Sequence, residues 1–183
     1  MTKWLWREWI TDPEQRRRLQ LLARVPLFAG LSRRQLGKLL VKLFEKEYPA
    51  GEIIFREGDP GKALFIVLDG KISIARAADG PEKPLALLGP GAYFGELALI
   101  DDQPRFAGAR ADEDSLLLIL YKSHFDDLIE GHRVLAIKVM ENLLKTLAGY
   151  VRAEHSRGPL RAAKPGTVSL ADPTALPAER TRR

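Results

Sequence analysis

No cysteine occurs anywhere in the 183 residues. That absence excludes disulfide staples and thiol chemistry, and gives no sign of an oxidising compartment. Histidine is scarce: His124, His132 and His155 are the only three, and they do not pair at ligand spacing, so no metal is expected. No run approaches the roughly 20 apolar residues that a membrane-spanning helix needs. A secretory leader places its charge first and an unbroken apolar run second. Here Trp4, Leu5, Trp6, Arg7, Glu8 and Trp9 interleave the two, and Arg16, Arg17 and Arg18 follow. The expected location is the cytoplasm. No nucleophile–base pair or catalytic dyad stands out, so the chain is not expected to be an enzyme.

What is present is the composition of a globular protein, 45% hydrophobic with a net charge of +5. The charge favours an anionic partner without choosing among nucleotide, nucleic acid and membrane surface. Residues 1–24 read as a helical extension. Asp12-Pro13-Glu14 is a helix start, Leu19, Leu22 and Ala23 form one apolar stripe, and Pro26 ends it. A second helix starts at Ser32, a good capping residue, with Leu36, Leu39, Leu40 and Leu43 at helical spacing. The three early tryptophans invite a membrane-interface reading. Glu8, Asp12 and Glu14 dilute the basic face and favour packing on the domain or a neighbouring subunit.

From Tyr48 the texture changes. Glycine and proline punctuate short apolar runs at Ile53–Phe55, Leu64–Leu68, Ile72–Ile74, Leu85–Leu88, Ala107–Ala111 and Leu116–Leu120. Asp69-Gly70 and Asp79-Gly80 between runs are hairpin signals. Many short strands at near-regular spacing predict an antiparallel sandwich, roll or barrel. Helix returns at Ser123, with Asp126 completing a capping-box-like start. Gly131 breaks the chain, and a long helix is expected over residues 132–153. It is apolar on two sides. Val134, Ile137, Leu144, Ala148 and Val151 line one face, and Ala136, Met140, Leu143, Leu147 and Tyr150 form a heptad-spaced seam on the other. One face is expected to pack on the strands, and the seam is a candidate homodimer interface. Residues 154–183, rich in proline and arginine, read as a disordered basic tail with no specific nucleic-acid binding expected.

The stretch that carries chemistry is Gly91–Arg105. It reads as a glycine-loosened turn opening a short helix, where amides near Gly95, Leu97 and Ala98 can hold an anion. Glu96 lies among them and suits a sugar hydroxyl. Nine residues later Arg105 brings a planar guanidinium suited to a phosphate.

Phe94-Gly95-Glu96-Leu97-Ala98-Leu99-Ile100 followed by Pro104-Arg105 resembles the phosphate-binding cassette of cyclic-nucleotide-binding domains. The resemblance extends upstream through Val25–Ser32, Tyr48–Asp59 and Leu64–Ile72, so that it covers roughly residues 25–150. It implies a mainly β fold, an antiparallel β-roll of jelly-roll type with N-terminal helices and a long C-terminal helix, and a domain spanning residues 25–153. It also implies a ligand, cAMP or cGMP, held by Gly95, Glu96, Leu97, Ala98, Arg105 and Phe106. Glu96 would take the ribose 2′-hydroxyl, and Arg105 with the amides of Leu97 and Ala98 the phosphate. The long helix would close over the base and signal to an effector protein. Phe106 departs from the pattern, which usually has a small residue after the arginine, and Gly108 is a second departure. The Phe106 ring either crowds the pocket or turns aside, leaving its amide to act. The lack of threonine or serine beside the arginine favours cAMP over cGMP. The alternative is a ligand-free interaction or dimerisation module.

Overall fold

The computed structural model describes residues 12–78 and 80–155. The tryptophan segment, Asp79 and all but the first two residues of the basic tail lie outside them. Helix α1 (Pro13–Leu22) starts where the Asp12 carboxylate accepts from the Glu14 amide at 3.0 Å and proline fills the first helical position. Only Leu19 and Leu22 are buried on it. Ala23, expected in the same stripe, is exposed. A 3-10 turn, Pro26–Phe28, leads to α2 (Arg33–Leu40). Its capping box is complete: Ser32 Oγ accepts from the Gln35 amide at 3.3 Å, and Gln35 Oε1 accepts from the Ser32 amide at 2.9 Å.

Eight strands follow: β1 (Phe44–Tyr48), β2 (Ile53–Phe55), β3 (Ala63–Asp69), β4 (Ile72–Ala78), β5 (Gly80–Leu88), β6 (Tyr93–Phe94), β7 (Gly108–Ala111) and β8 (Ser115–Tyr121). They form two antiparallel four-stranded sheets, ordered β1-β8-β3-β6 and β2-β7-β4-β5. This is the expected β-roll with flanking helices. The Asp69-Gly70 turn joins β3 to β4. A Cβ on Gly70, at φ +89°, would run into Ser115 and the Asp114 carbonyl, so glycine is required there.

Two strands escape the sequence pattern. In β1, Phe44 through Glu47 are exposed, and the segment is held as an edge strand by pairing along its whole length with β8. Leu43, expected in α2, lies in the turn before it. β6 is only two residues long and leans on β3. The expected capping box at Ser123 is also absent. Helix α3 (Lys122–Gly131) begins two residues earlier with Tyr121 as an uncapped N-cap, because β8 runs straight into it and the Lys122 amide donates to the Lys62 carbonyl at 2.9 Å. Helix α4 (Arg133–His155) follows.

There are two cores, separated by the first sheet. Along β3 and β8 successive side chains alternate faces. Leu64, Ile66, Leu118 and Leu120 meet the helices in a core with Leu22, Leu39, Phe125, Leu135 and Leu143. Phe65, Val67, Leu117 and Ile119 turn into the roll, against Ile72, Ile74, Ala109 and Ala111 of the second sheet. Burial on both faces is why these two strands read as unbroken apolar runs. Helix α4 corrects the sequence expectation. The heptad-spaced seam faces the domain itself, with Ala136 and Leu143 buried, while Val134, Ile137, Leu144 and Val151 stay exposed. Asn142 on the seam side pins the helix by donating to the carbonyls of Leu27 at 3.0 Å and Ala29 at 2.9 Å.

Candidate functional site

The glycine-rich turn after β5 enters β6, and Gly95 then adopts the left-handed conformation, φ +73°. A Cβ there would stand 2.5 Å from Arg105 Nη1 and 3.2 Å from the Ala63 carbonyl, so glycine is needed for both backbone and space. The next residues form a 3-10 turn, Glu96–Leu99, burying Glu96, Ala98 and Leu99. One expectation is adjusted here. The Ala98 amide is not free but donates to the Gly95 carbonyl at 3.3 Å, a bond at the long limit.

Arg105 reaches the same place from the opposite side. Its amide donates to the Asp59 carbonyl at 2.7 Å, and its carbonyl accepts from the Gly58 amide at 2.8 Å, so the turn after β2 fixes its register. Arg105 as a whole is 9% exposed. Nη1 donates to the Gly95 carbonyl at 3.1 Å and Nη2 to the Ala63 carbonyl at 2.8 Å. Its Cζ lies 4.1 Å from the centre of the Phe55 ring, a cation–π contact. Nε is buried without a hydrogen-bond partner. Burial pushes the Arg105 pKa down, opposed by Glu96 and Asp59.

Glu96 is 5% exposed. Burial pushes its carboxyl above the ordinary value, while its own amide, the Tyr150 hydroxyl and Arg105 pull the other way. Tyr150 of α4 donates to Glu96 Oε1 at 3.3 Å, and burial beside Glu96 raises the phenol in turn. Glu96 and Arg105 form no ion pair within 4.0 Å. The structure instead holds a buried cation bonded to carbonyl dipoles, beside a buried carboxylate that reaches a helix. A buried cation outside a close ion pair is costly, and an anionic ligand would relieve part of that cost.

Gly95, Glu96, Leu97, Ala98, Arg105 and Phe106 all line one cavity of about 660 Å³, together with Phe55, Ile74 and Phe94. That size lies within the roughly 300–1,000 Å³ of small-molecule sites. Sequence reasoning missed Phe55 under the guanidinium and Tyr150 on the carboxylate. Phe55 lies 50 residues from Arg105 and carries no polar atom to mark it. Tyr150 was visible, but as one member of an apolar seam. Among the described residues no cluster of metal-ligating groups occurs, and no helix is long and apolar enough to cross a membrane.

A family model described as "Cyclic nucleotide-binding domain" matches residues 45–132. The cyclic AMP receptor protein of Thermus thermophilus is 40% identical over 128 residues, covering 69% of this chain and 57% of the relative. The chain thus spans little more than half of that protein's length. The N-terminal domain of a transcriptional regulator from Streptomyces coelicolor superimposes with a TM-score of 0.66 at 33% identity, over 70% of this chain and 93% of that one. The regulatory domain of Toxoplasma gondii PKA, solved with cAMP, superimposes with a TM-score of 0.60 at 30% identity, over 63% of this chain and 44% of that one.

Proposed function

Because the chain belongs to the cyclic-nucleotide-binding domain family, we propose that it is a cytoplasmic, non-enzymatic sensor that binds cAMP in preference to cGMP and reports occupancy through α4. The observation that carries this reading is the pairing of a buried Arg105, its Nε unpartnered, with a buried Glu96 on one cavity, the carboxylate already joined to α4 by Tyr150. The cyclic phosphate would take the unmet Arg105 Nε–H and the Leu97 amide. The ribose 2′-hydroxyl would donate to Glu96.

The link to α4 follows from hydrogen-bond competition. A hydroxyl donating to Glu96 competes with Tyr150, and Tyr93 Oη and Thr146 Oγ1, 2.8 Å apart, tie the same stretch of α4 to β6. A nucleotide that replaces or reinforces these bonds has different affinities for different positions of α4, which is the condition for any ligand-driven shift. The solvent face of α4, Val134, Ile137, Leu144 and Val151, is the surface through which an effector or a second copy would feel that shift. With Phe106 in place of a hydroxyl-bearing residue beside Arg105, nothing at that position matches a guanine edge, hence cAMP.

Isothermal titration of the protein with cAMP and cGMP tests the reading. Saturable binding in the micromolar range, about 8 kcal/mol, stronger for cAMP and lost in Arg105→Ala, is the expected result. Absence of heat with both nucleotides would leave a ligand-free interaction module as the better account.

A further inference from the structure

Phe106 stands where the family pattern has a small residue, and the structure gives its ring a defined setting. Arg76 Cζ lies 4.3 Å from the centre of the ring. Arg76 is in turn held by Glu57: its Nη2 donates to Glu57 Oε1 at 3.4 Å, while Glu57 Oε2 accepts from the Ala77 amide at 2.7 Å. Phe106 lines the cavity, Arg76 is not among the lining residues, and the guanidinium covers one face of the ring. Ile74, two residues before Arg76 on the same side of β4, also lines the cavity. The ring is packed against the edge of the roll core. It is only partly buried, and one face is covered by a charged side chain bonded to a carboxylate that a backbone amide anchors.

We propose that Phe106 is the platform on which the nucleotide base stacks, with Arg76 and Glu57 as positioning residues that hold the ring, and that this platform makes the site selective for purines. The inference rests on the proposed nucleotide-binding reading and adds the base subsite to it. A guanidinium over one face of an aromatic ring leaves the other face free for stacking. Base–aromatic stacking tolerates many bases, and it grows with the area of the base, so a two-ring purine gains more than a one-ring pyrimidine.

The test is a ratio of affinities, which a general loss of stability does not move. The full chain is titrated with cAMP and with cCMP, alongside Phe106→Leu, Phe106→Trp and Arg76→Met, each checked for cooperative thermal unfolding. The expected result is a wild-type preference for cAMP of about tenfold or more. That preference should be kept in Phe106→Trp, collapse toward parity in Phe106→Leu, and take an intermediate value in Arg76→Met. An unchanged ratio in Phe106→Leu overturns the platform while leaving nucleotide binding in place. Tighter binding of both nucleotides by Phe106→Leu also overturns it, and marks the ring as a plug. If wild type binds neither nucleotide, the sensor reading and the platform fall together.

Discussion

The two cores of this protein have different contents. The one between the first sheet and the helices is a continuous aliphatic and aromatic cluster, with Leu22, Leu39, Leu64, Ile66, Leu118, Leu120 and Phe125 almost fully buried. The one inside the roll is smaller in side chains, carries Ala107, Ala109 and Ala111, and opens on the cavity where Glu96 and Arg105 sit. Close packing in the first leaves nothing for a ligand to add. The second is incomplete and carries charge, so a ligand can complete it. The helix-side core is the close-packed one, and the roll holds the cavity proposed as the site.

If that division is right, substitutions on the two sides should separate in what they damage. The largest stability effect is expected from Phe125→Ala, which empties a fully buried position on the helix side. It should cost about 3–5 kcal/mol in urea unfolding while leaving the affinity of the folded fraction near wild type. Arg105→Ala should do the reverse. Nucleotide affinity should fall by roughly 2–5 kcal/mol in titration calorimetry, and unfolding stability should change much less than in Phe125→Ala. Equal stability losses in the two variants would break the comparison. Gly95→Ala sits at the seam between backbone and site and should damage both. A left-handed non-glycine residue costs about 1–3 kcal/mol, and the added Cβ meets Arg105 Nη1.

A smaller, pH-dependent effect belongs to Glu96. Its carboxyl is raised in the folded protein, chiefly by burial. Between the ordinary carboxylate value and the raised one, the folded state therefore holds more protons than the unfolded state. Stability falls as pH rises through that window and stays lower above it. Unfolding free energies measured against pH should show this slope in wild type and lose it in Glu96→Gln. The smallest effect is expected from Tyr150→Phe, about 1 kcal/mol for one hydrogen bond. Its clearer signature is hydrogen exchange. Nucleotide should change protection of the last turns of α4 in wild type, and less so in the variant.

Most of the fold was legible in the sequence because its signals are local. Asp12-Pro13 and Ser32 with Gln35 start helices by short-range hydrogen bonds. Positive-φ glycines such as Gly70 mark turns that a side chain would obstruct. The doubly buried strands β3 and β8 stand out as apolar runs. What was not legible depends on distant partners. Strand β1, with Glu45, Lys46 and Glu47 exposed, exists because β8 offers it a hydrogen-bonding edge. Ser123 lost its expected capping role because β8 carried the chain straight into α3. The site divides in the same way. Gly95, Glu96 and Arg105 lie close together in sequence and were picked out from it as candidates that the structure gathers on one cavity, whereas Phe55 and Tyr150 reach them only through the closure of the roll and the return of α4.

The sequence by itself determined the order of elements, the glycine turns and the run from Phe94 to Arg105, because each rests on backbone sterics and side-chain spacing within a few residues. Only the tertiary structure decided which face of α4 meets the roll. Both faces are apolar enough to be buried, and periodicity cannot rank them. The choice falls to packing and to the hydrogen bonds of Asn142, Thr146 and Tyr150, which exist only once the helix has docked. The same docking brings Tyr150 of α4 onto Glu96, which turns a charged residue in a short turn into a buried carboxylate under a helix.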